Sequence, residues 1–140
     1  MGKYSLIRNP STNTTSFGVV RNLIIQNQPQ LASVEADIYL FLGFHKSVGF
    51  GFKHIQAIHG NEIRNAGFTC IEDFVVSILR PGTKLYYTGE SWKKCRLLAW
   101  NQTGMGVLEF QENVRHGKHW SIITAYIRRN PFGQEVGTIL

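Results

Sequence analysis

Residues 105–128 of this 140-residue chain read MGVLEFQENVRHGKHWSIITAYIR. Two runs rich in β-branched, aromatic and other apolar residues, 105–111 and 120–128, flank the polar segment 115–118. Runs of this composition on either side of a glycine-containing turn are typical of a β-hairpin. The stretch therefore predicts two antiparallel strands joined by a short turn.

The chain on both sides of this hairpin has the same character. Residues 84–88 and 94–100 are short β-rich runs, and turn residues at 101–104 separate the second run from the hairpin. Residues 138–140 predict a last edge strand. The second half of the chain is therefore predicted to form an antiparallel meander.

The first half of the chain predicts helices after a loose polar lead-in over residues 1–16. Phe17, Val20 and Ile24 recur at helical spacing, and they predict a first helix that ends before the next proline. The apolar run 37–42 predicts one short strand.

Two further helices are predicted before the meander. Residues 53–65 have apolar positions at helical spacing and a glycine soon after, although Gly60 is a poor helix residue that would favour an interruption. Thr69, with Glu72 three residues later, has the form of a capping box that introduces a helix over 71–79.

Helices followed by a meander predict the α+β fold class, with N-terminal helices packed on a C-terminal antiparallel β-sheet. The length of 140 residues fits a single domain, 1–140. No apolar run reaches the roughly 18 residues that a membrane span needs. The start of the sequence lacks an apolar signal core, so we expect that a protein that leaves its cell does so as part of a larger one.

Composition and charge favour a polyanionic partner. Fifteen Lys and Arg against nine Asp and Glu give a formal charge of +6 and a pI near 9.6. Such an excess favours nucleic acid. Cys70 and Cys95 have no CxxC spacing, which argues against a zinc site, and the sequence leaves open whether they form a disulfide.

Candidate catalytic groups lie on the predicted helix 53–65. On a helical wheel His59 and Glu62 fall within about 60° of Ile55, and His54 lies about 100° away at the helix start. A helix N-terminus tends to lower a histidine pKa, which would leave His54 neutral and able to act as a base. His59 could equally be a core histidine hydrogen-bonded to Glu62.

The same wheel puts Ile58 and Ala66 on the apolar stripe and Lys53 on the far side. His59 and Glu62, one turn apart, are also a pair of metal-ligand types. No second cluster of ligands accompanies them in the sequence, so no metal and no other cofactor is expected.

The predicted strand 120–128 carries a second candidate set. Strand alternation puts Trp120, Thr124 and Tyr126 on one face and Ser121 and Ala125 on the opposite, core face. A hydroxyl can donate to a phosphate oxygen, and an aromatic ring can stack on a base. Ordinary β-propensity accounts for the same residue types without any function.

Basic residues are interleaved with aromatic ones throughout the β half, as in surfaces that follow a nucleic-acid backbone and stack its bases. Lys84 and Arg96 are the candidates for substrate binding because each lies inside a predicted strand, and Trp120 and Glu62 complete that set. Solvation of the surface accounts for most of the other charges.

Two motifs together resemble a known group of toxins. Lys-His-Ile at 53–55 opens a helix, and Ile-Thr-Ala-Tyr at 123–126 lies in a late strand. This arrangement resembles the toxin domains grouped with barnase, EndoU, the colicins and RelE, and in particular the C-terminal toxin domains of contact-dependent growth inhibition proteins, over residues 37–130. The resemblance implies a metal-independent ribonuclease, with transfer RNA as the expected substrate, that cleaves through attack by a ribose 2′-OH and leaves a cyclic phosphate.

By position, the resemblance implies His54 as base or acid, Thr124 as a phosphate contact and Tyr126 as a group that orients substrate. Lys53 or Lys84 would be the electrostatic partner. The resemblance also implies a cognate immunity protein over the basic cleft and, for some members, a requirement for elongation factor Tu. The domain would be delivered by a secreted or cell-surface protein and would act in the target-cell cytoplasm.

Two other functions remain compatible with the sequence. A non-catalytic RNA-binding module predicts graded affinity losses from many Lys and Arg changes and no cleavage. A metal-dependent DNase toxin predicts activity that a chelator abolishes. The ribonuclease interpretation predicts instead that loss of His54 alone abolishes activity while folding is retained.

Overall fold

The computed structural model of this protein describes residues 2–21, 23, 35–89 and 95–140. These residues form two helices, α1 (Gly51–Asn65) and α2 (Ile71–Ile78), neither long and apolar enough to cross a membrane. They also form nine strands: β1 (Ser16–Val20), β2 (Ala36–Tyr39), β3 (Phe44–His45), β4 (Gly49–Phe50), β5 (Lys84–Tyr87), β6 (Arg96–Asn101), β7 (Gly104–Asn113), β8 (Gly117–Tyr126) and β9 (Gln134–Thr138). With 43% strand and 19% helix, the structure is mostly β.

Seven of the strands build one curled half-barrel sheet in the order β1-β2-β8-β7-β6-β5-β9. Neighbouring strands run antiparallel except β2 and β8, which are parallel. β3 and β4 form a separate two-stranded hairpin immediately before α1. Of the strands from the N-terminal half, β2 therefore lies beside β8, and β1 lies beside β2.

The two faces of the large sheet differ in what they bury. The first, here called the core face, carries Trp120 and Ile122 of β8, which share one buried cluster with Ile55 of α1 and Phe74 of α2. The opposite face, here called the second face, carries a smaller apolar cluster around Met105. Tyr126 of β8 packs against this smaller cluster, so the second face carries one of the candidate residues.

The segment before β1 is tied to the chain that follows β2. The backbone N–H of Leu42 donates to the carbonyl oxygen of Ser5 at 2.8 Å. This contact holds the ring of Tyr4 edge-on to the buried ring of Phe41, with 6.1 Å between centroids and 88° between planes. The N-terminal segment therefore supplies an aromatic wall to the region discussed below.

The predicted fold class, N-terminal helices packed on a C-terminal antiparallel sheet, is wrong. The first predicted helix is replaced by β1, which holds Phe17 and Val20, whereas Ile24 lies outside the described residues. The register of β1 against β2 shifts between Ser16 and Val19, and Phe17 and Val20 are both buried. An irregular strand thus buries residues three apart, which is also the spacing of one helical turn.

The predicted meander and the two later helices are confirmed with shifted bounds. β5, β6, β7 and β8 pair in sequence order, although the last strand is β9 rather than residues 138–140. The predicted strand 37–42 corresponds in part to β2. α1 runs through Gly60 without a break. α2 is preceded by Cys70 as N-cap with no side-chain cap hydrogen bond, so the capping box of Thr69 and Glu72 is wrong.

Candidate functional site

Tight turns bring His45 over the start of α1. In the β3–β4 hairpin His45 pairs with Gly49, where a Cβ atom would lie 2.2 Å from the carbonyl oxygen of Phe44. At Gly51 a Cβ atom would lie 2.5 Å from another main-chain oxygen, and φ is 76°. Because only glycine fits both positions, β4 leads directly into α1 and His45 meets His54 in the first helical turn.

The two imidazoles contact each other. The Nδ1 atoms of His45 and His54 are 3.2 Å apart, so one must donate and the other accept. Burial, followed by repulsion from His45 and His59, lowers the pKa of His54 below its usual 6.5. The direction agrees with the sequence-based expectation, although the causes are burial and neighbouring imidazoles. His54 is therefore suited to accept a proton near neutral pH.

His59 is held by a carboxylate and an aromatic ring. Its Nδ1 atom bonds to Glu62 Oε1, and Glu62 Oε2 accepts the backbone N–H of Ile127 at 3.2 Å. The ring of Tyr126 stacks on His59 with centroids 5.2 Å apart and 28° between planes. With Nδ1 committed to Glu62, Nε2 is the atom left to exchange a proton with a ligand. We call His45, His54, His59, Glu62 and Tyr126 the α1 histidine site.

The face predicted for Trp120 is wrong because β8 contains a β-bulge, whereas Ala125 lies on the core face and Tyr126 on the opposite face, as predicted. The register against β7 shifts between Val107 and Leu108, which leaves Ile123 as an extra residue. Alternation is therefore displaced by one position along β8. Trp120 lies on the core face, where it is fully buried, so its ring has no exposed face for a base, while Tyr126 lies on the second face.

Two hydroxyl groups on the second face of β8 lack a strong acceptor. Thr124 lies two residues before Tyr126, and its Oγ1 atom is buried with no hydrogen-bond partner among the described residues. The Tyr126 hydroxyl donates to Met105 Sδ at 3.5 Å, which is a weak acceptor. Tyr126 is partly exposed and its hydroxyl is able to donate to a ligand oxygen instead, whereas Thr124 Oγ1 is enclosed within the protein.

The basic candidates are not all brought to this site. Lys53 is exposed on α1 directly before His54. Lys84 lies on β5, three strands from β8 and so about 14 Å away across the sheet, where it pairs with Glu135 at 3.7 Å. Arg96 lies on β6 and lines a cavity described below. Lys53 is therefore the basic candidate adjacent to the histidines.

The buried face of α1 is rotated from the predicted one. Ile55 and Ile63 are buried, whereas Ile58 is 52% exposed and Ala66 is exposed beyond the last helical residue. The buried side is centred between Ile55 and Ile63, which are about 80° apart on the wheel. His59 falls between those two directions, and this accounts for its partial burial.

A cavity of about 670 Å³ opens on the second face of the sheet. Its floor includes Arg96, Glu109 and Ile123 from three neighbouring strands, and the rings of Tyr4 and Phe50 line it as well. Of these residues, only Arg96 was predicted from the sequence as a candidate. The others come from segments far apart in the chain, although the cross-strand pairing of Arg96 with Glu109 follows from the predicted hairpins.

The remaining candidate chemistry is less well supported by the geometry. Among residues 2–21, 23, 35–89 and 95–140, no three His, Cys, Asp or Glu side chains are grouped as metal ligands. Cys70 and Cys95 are free thiols. Burial raises the pKa of Cys95 to about 11 and also raises that of Cys70. Neither thiol is activated as a nucleophile.

Comparisons with known proteins identify no relative. No protein-family model matches the chain, and no curated protein or solved structure does.

Proposed function

We propose that this protein is a metal-independent endoribonuclease with His54 and His59 as its catalytic pair. One observation carries the proposal: successive turns of α1 present a half-buried imidazole of lowered pKa and a second imidazole anchored through Nδ1 to Glu62. A base that is neutral near pH 7 and an imidazole oriented by a carboxylate are complementary parts of general acid–base catalysis.

The proposed reaction breaks one P–O bond and forms another. His54 takes the proton from a ribose 2′-OH, and the 2′-oxygen attacks the adjacent phosphorus. The bond to the 5′-oxygen of the next nucleotide breaks, and this oxygen receives a proton from Nε2 of His59. The products are a 2′,3′-cyclic phosphate and a 5′-hydroxyl, and no redox partner or metal takes part.

Charge and hydroxyl groups around the two histidines support a phosphate substrate. Lys53 and Lys46 are both exposed close to His54 and His45 in the chain, and the formal charge of the protein is +6. Negative charge that develops on the phosphorane oxygens would be stabilised by Lys53 and by donation from the Tyr126 hydroxyl.

The resemblance noted in the sequence extends this proposal to a biological role. Under it the domain is a toxin used in competition between bacteria, transfer RNA is the substrate, and an immunity protein neutralises it. Elongation factor Tu would be an additional partner if the isolated domain does not act on its RNA alone. The excess of positive charge is what an acidic immunity protein would complement.

A non-catalytic RNA-binding module is the second candidate, and one observation favours it. Lys84, Tyr86 and Trp100 line a separate cavity of about 420 Å³, which combines a cation with two aromatic rings. Such a combination binds single-stranded RNA without any chemistry. This candidate predicts retention of RNA by the protein and no cleavage.

The test is incubation of the purified protein with total bacterial RNA in EDTA. Wild type is compared with His54→Ala, His59→Ala and the matched control Gln56→Ala, an exposed position on the same helix. We expect discrete fragments from wild type and control, and a loss of at least about 100-fold in rate for each histidine variant. A parallel series with added cell extract supplies any host factor.

Intact RNA in both series would contradict the ribonuclease proposal, and retention of that RNA would favour the binding module. Cleavage in a further incubation without EDTA, but not in its presence, would support the metal-dependent nuclease instead. Equal activity of wild type and both histidine variants would exclude the α1 histidine site as the catalytic centre.

A further inference from the structure

A row of paired side chains crosses the second face of the sheet between the α1 histidine site and the cavity of about 420 Å³. Strand by strand, each member lies directly opposite the next: Lys84 of β5, Trp100 of β6, Met105 of β7 and Tyr126 of β8. Directly opposite residues lie on the same face of a sheet, so these four form one line, here called the cross-strand row. The row ends at the ring of His59, which stacks on Tyr126.

The indole ring of Trp100 is held in a fixed direction. Its N–H donates to the carbonyl oxygen of Arg128 at 2.9 Å. The ring is partly exposed and lines the cavity of about 420 Å³. Because the N–H is already committed, a ligand can contact Trp100 mainly through the face of the ring. Stacking on a ring face accepts any base, so this position favours a nucleic acid without selecting its sequence.

The floor between Trp100 and Tyr126 is apolar. Met105 lies between them in the row and is fully buried, and Leu98, in the same apolar cluster, is also buried. The Tyr126 hydroxyl has the weak acceptor Met105 Sδ as its partner. A strand that crosses this floor therefore displaces no strong hydrogen bond of the protein, and its bases meet apolar and aromatic surface.

Cations lie at both ends of the cross-strand row. Lys84 and Arg80 are exposed and line the cavity of about 420 Å³ at one end. Lys84 lies 3.7 Å from Glu135, but both side chains are about half exposed, so this ion pair is weak and the ammonium group remains available to a phosphate. Lys53 is exposed at the other end, next to His54. A phosphate backbone can therefore be contacted at both ends, with its bases over the apolar floor between them.

We propose that the cross-strand row binds a single strand of RNA that runs from the cleaved bond to the cavity of about 420 Å³, with a base stacked on Trp100 and a phosphate at Lys84 and Arg80. Three strand spacings separate Tyr126 from Lys84, about 14 Å, which is more than one nucleotide covers. A base can stack on a ring only where it is unpaired, so the substrate is an RNA with a single-stranded segment beside the cut. This meaning rests on the proposed ribonuclease function, whereas binding along the row does not.

Binding of 2′-O-methyl RNA to the whole protein tests the row apart from cleavage, because these strands lack the attacking 2′-OH. A labelled strand of six nucleotides is followed by fluorescence anisotropy and displaced by unlabelled strands of two or six nucleotides of mixed sequence. We expect the longer strand to bind wild type at least about tenfold more tightly than the shorter one. Trp100→Ala should lose about tenfold for the longer strand and little for the shorter one, whereas Trp100→Phe, which keeps a ring, should retain most of the affinity.

Lys84→Gln keeps the test independent of the packing of Trp100, because Lys84 is exposed. This change should weaken the longer strand and lower the slope of log affinity against log salt by about 0.7, the value for one lost phosphate contact on a single strand. Lys118→Gln, an exposed lysine near the opposite end of β8 from Tyr126, should change neither.

Three results would each overturn the proposal: no gain in affinity with length, no effect of Trp100→Ala, or equal effects of Lys84→Gln and Lys118→Gln. Binding that depends on length and on these residues, without cleavage of unmodified RNA by the wild type, would contradict the ribonuclease and leave the RNA-binding row in place.

Discussion

His45 and His54 share one hydrogen bond between their Nδ1 atoms, 3.2 Å apart, although they belong to different elements. A hydrogen bond between two imidazoles needs one N–H and one lone pair, so the contact is compatible with at most one added proton. The protonation of His54, in the first turn of α1, therefore depends on His45, which the β3–β4 hairpin holds beside it. The same contact makes His54 the most informative residue for solution measurements.

The titration of His54 should depend on His45. We predict that the His54 imidazole titrates below its usual 6.5 in the wild type, because burial and two neighbouring imidazoles disfavour its charged form. His45→Ala removes one of these charges and opens the ring to water, so the midpoint should move up. Proton NMR of the imidazole resonances against pH measures both values, and equal midpoints in the two proteins would refute the coupling.

Stability should fall in mild acid. His54 and His116 both have a pKa lowered in the folded protein, so the unfolded chain binds more protons than the folded chain below pH 6.5. Their contribution is fully present above that pH and is lost as pH falls through the lowered values. Urea unfolding at pH 7.5 and 5.5 should show this loss, and a His54→Asn, His116→Asn double variant should show less of it. A double variant with the full pH dependence would rule these two residues out as its source.

Gly60 should be replaceable. A Cβ atom there would meet only Arg64 Nη1 at 3.6 Å and Gln56 Cγ at 3.9 Å, which are ordinary contacts with the ends of flexible side chains. Because alanine loses less backbone entropy in a helix than glycine, Gly60→Ala should raise the free energy of unfolding by about 0.5–1 kcal/mol. Gly49→Ala is the contrasting variant, since its Cβ would lie 2.2 Å from a main-chain oxygen and should destabilise the hairpin. A lower urea midpoint for Gly60→Ala would contradict the open space seen there.

Cys95 should react slowly with thiol reagents. Burial raises its pKa to about 11, so very little thiolate is present at pH 8, and the thiolate is the reactive form. We predict slow alkylation by iodoacetamide in native buffer and rapid alkylation in urea, with both Cys70 and Cys95 found as free thiols by mass spectrometry without reductant. Equal rates in the two conditions would mean that Cys95 is not shielded.

Local sequence patterns predicted the elements whose residues alternate regularly. The strands of the meander and the helices α1 and α2 were found in this way, because their periodicity and turn residues lie within short windows. Two of the failures, the first helix and the face of Trp120, have a common cause. The register shift in β1 buries Phe17 and Val20 at helical spacing, and the bulge at Ile123 moves Tyr126 to the face opposite Trp120.

Only the contacts of the candidate site between residues close in the sequence could be predicted. The pairing of His59 with Glu62 follows from one turn of a helix, and the sequence allowed for it. The contact of His45 with His54 depends on a hairpin of two-residue strands, too short for a periodic signal. The placement of Glu109 and Tyr4 in the lining of one cavity depends on contacts between distant segments, which no local pattern encodes.

The measurement that tests the central claim most directly is the chemistry of the cut ends. A synthetic RNA oligonucleotide and its all-2′-deoxy counterpart are incubated with the protein in EDTA, with host extract where the purified protein needs it, and the products are weighed by mass spectrometry. The account predicts 2′,3′-cyclic phosphate and 5′-hydroxyl ends from the RNA and no cleavage of the deoxy strand. Cleavage of the deoxy strand, or 3′-hydroxyl and 5′-phosphate ends on the RNA, would contradict it.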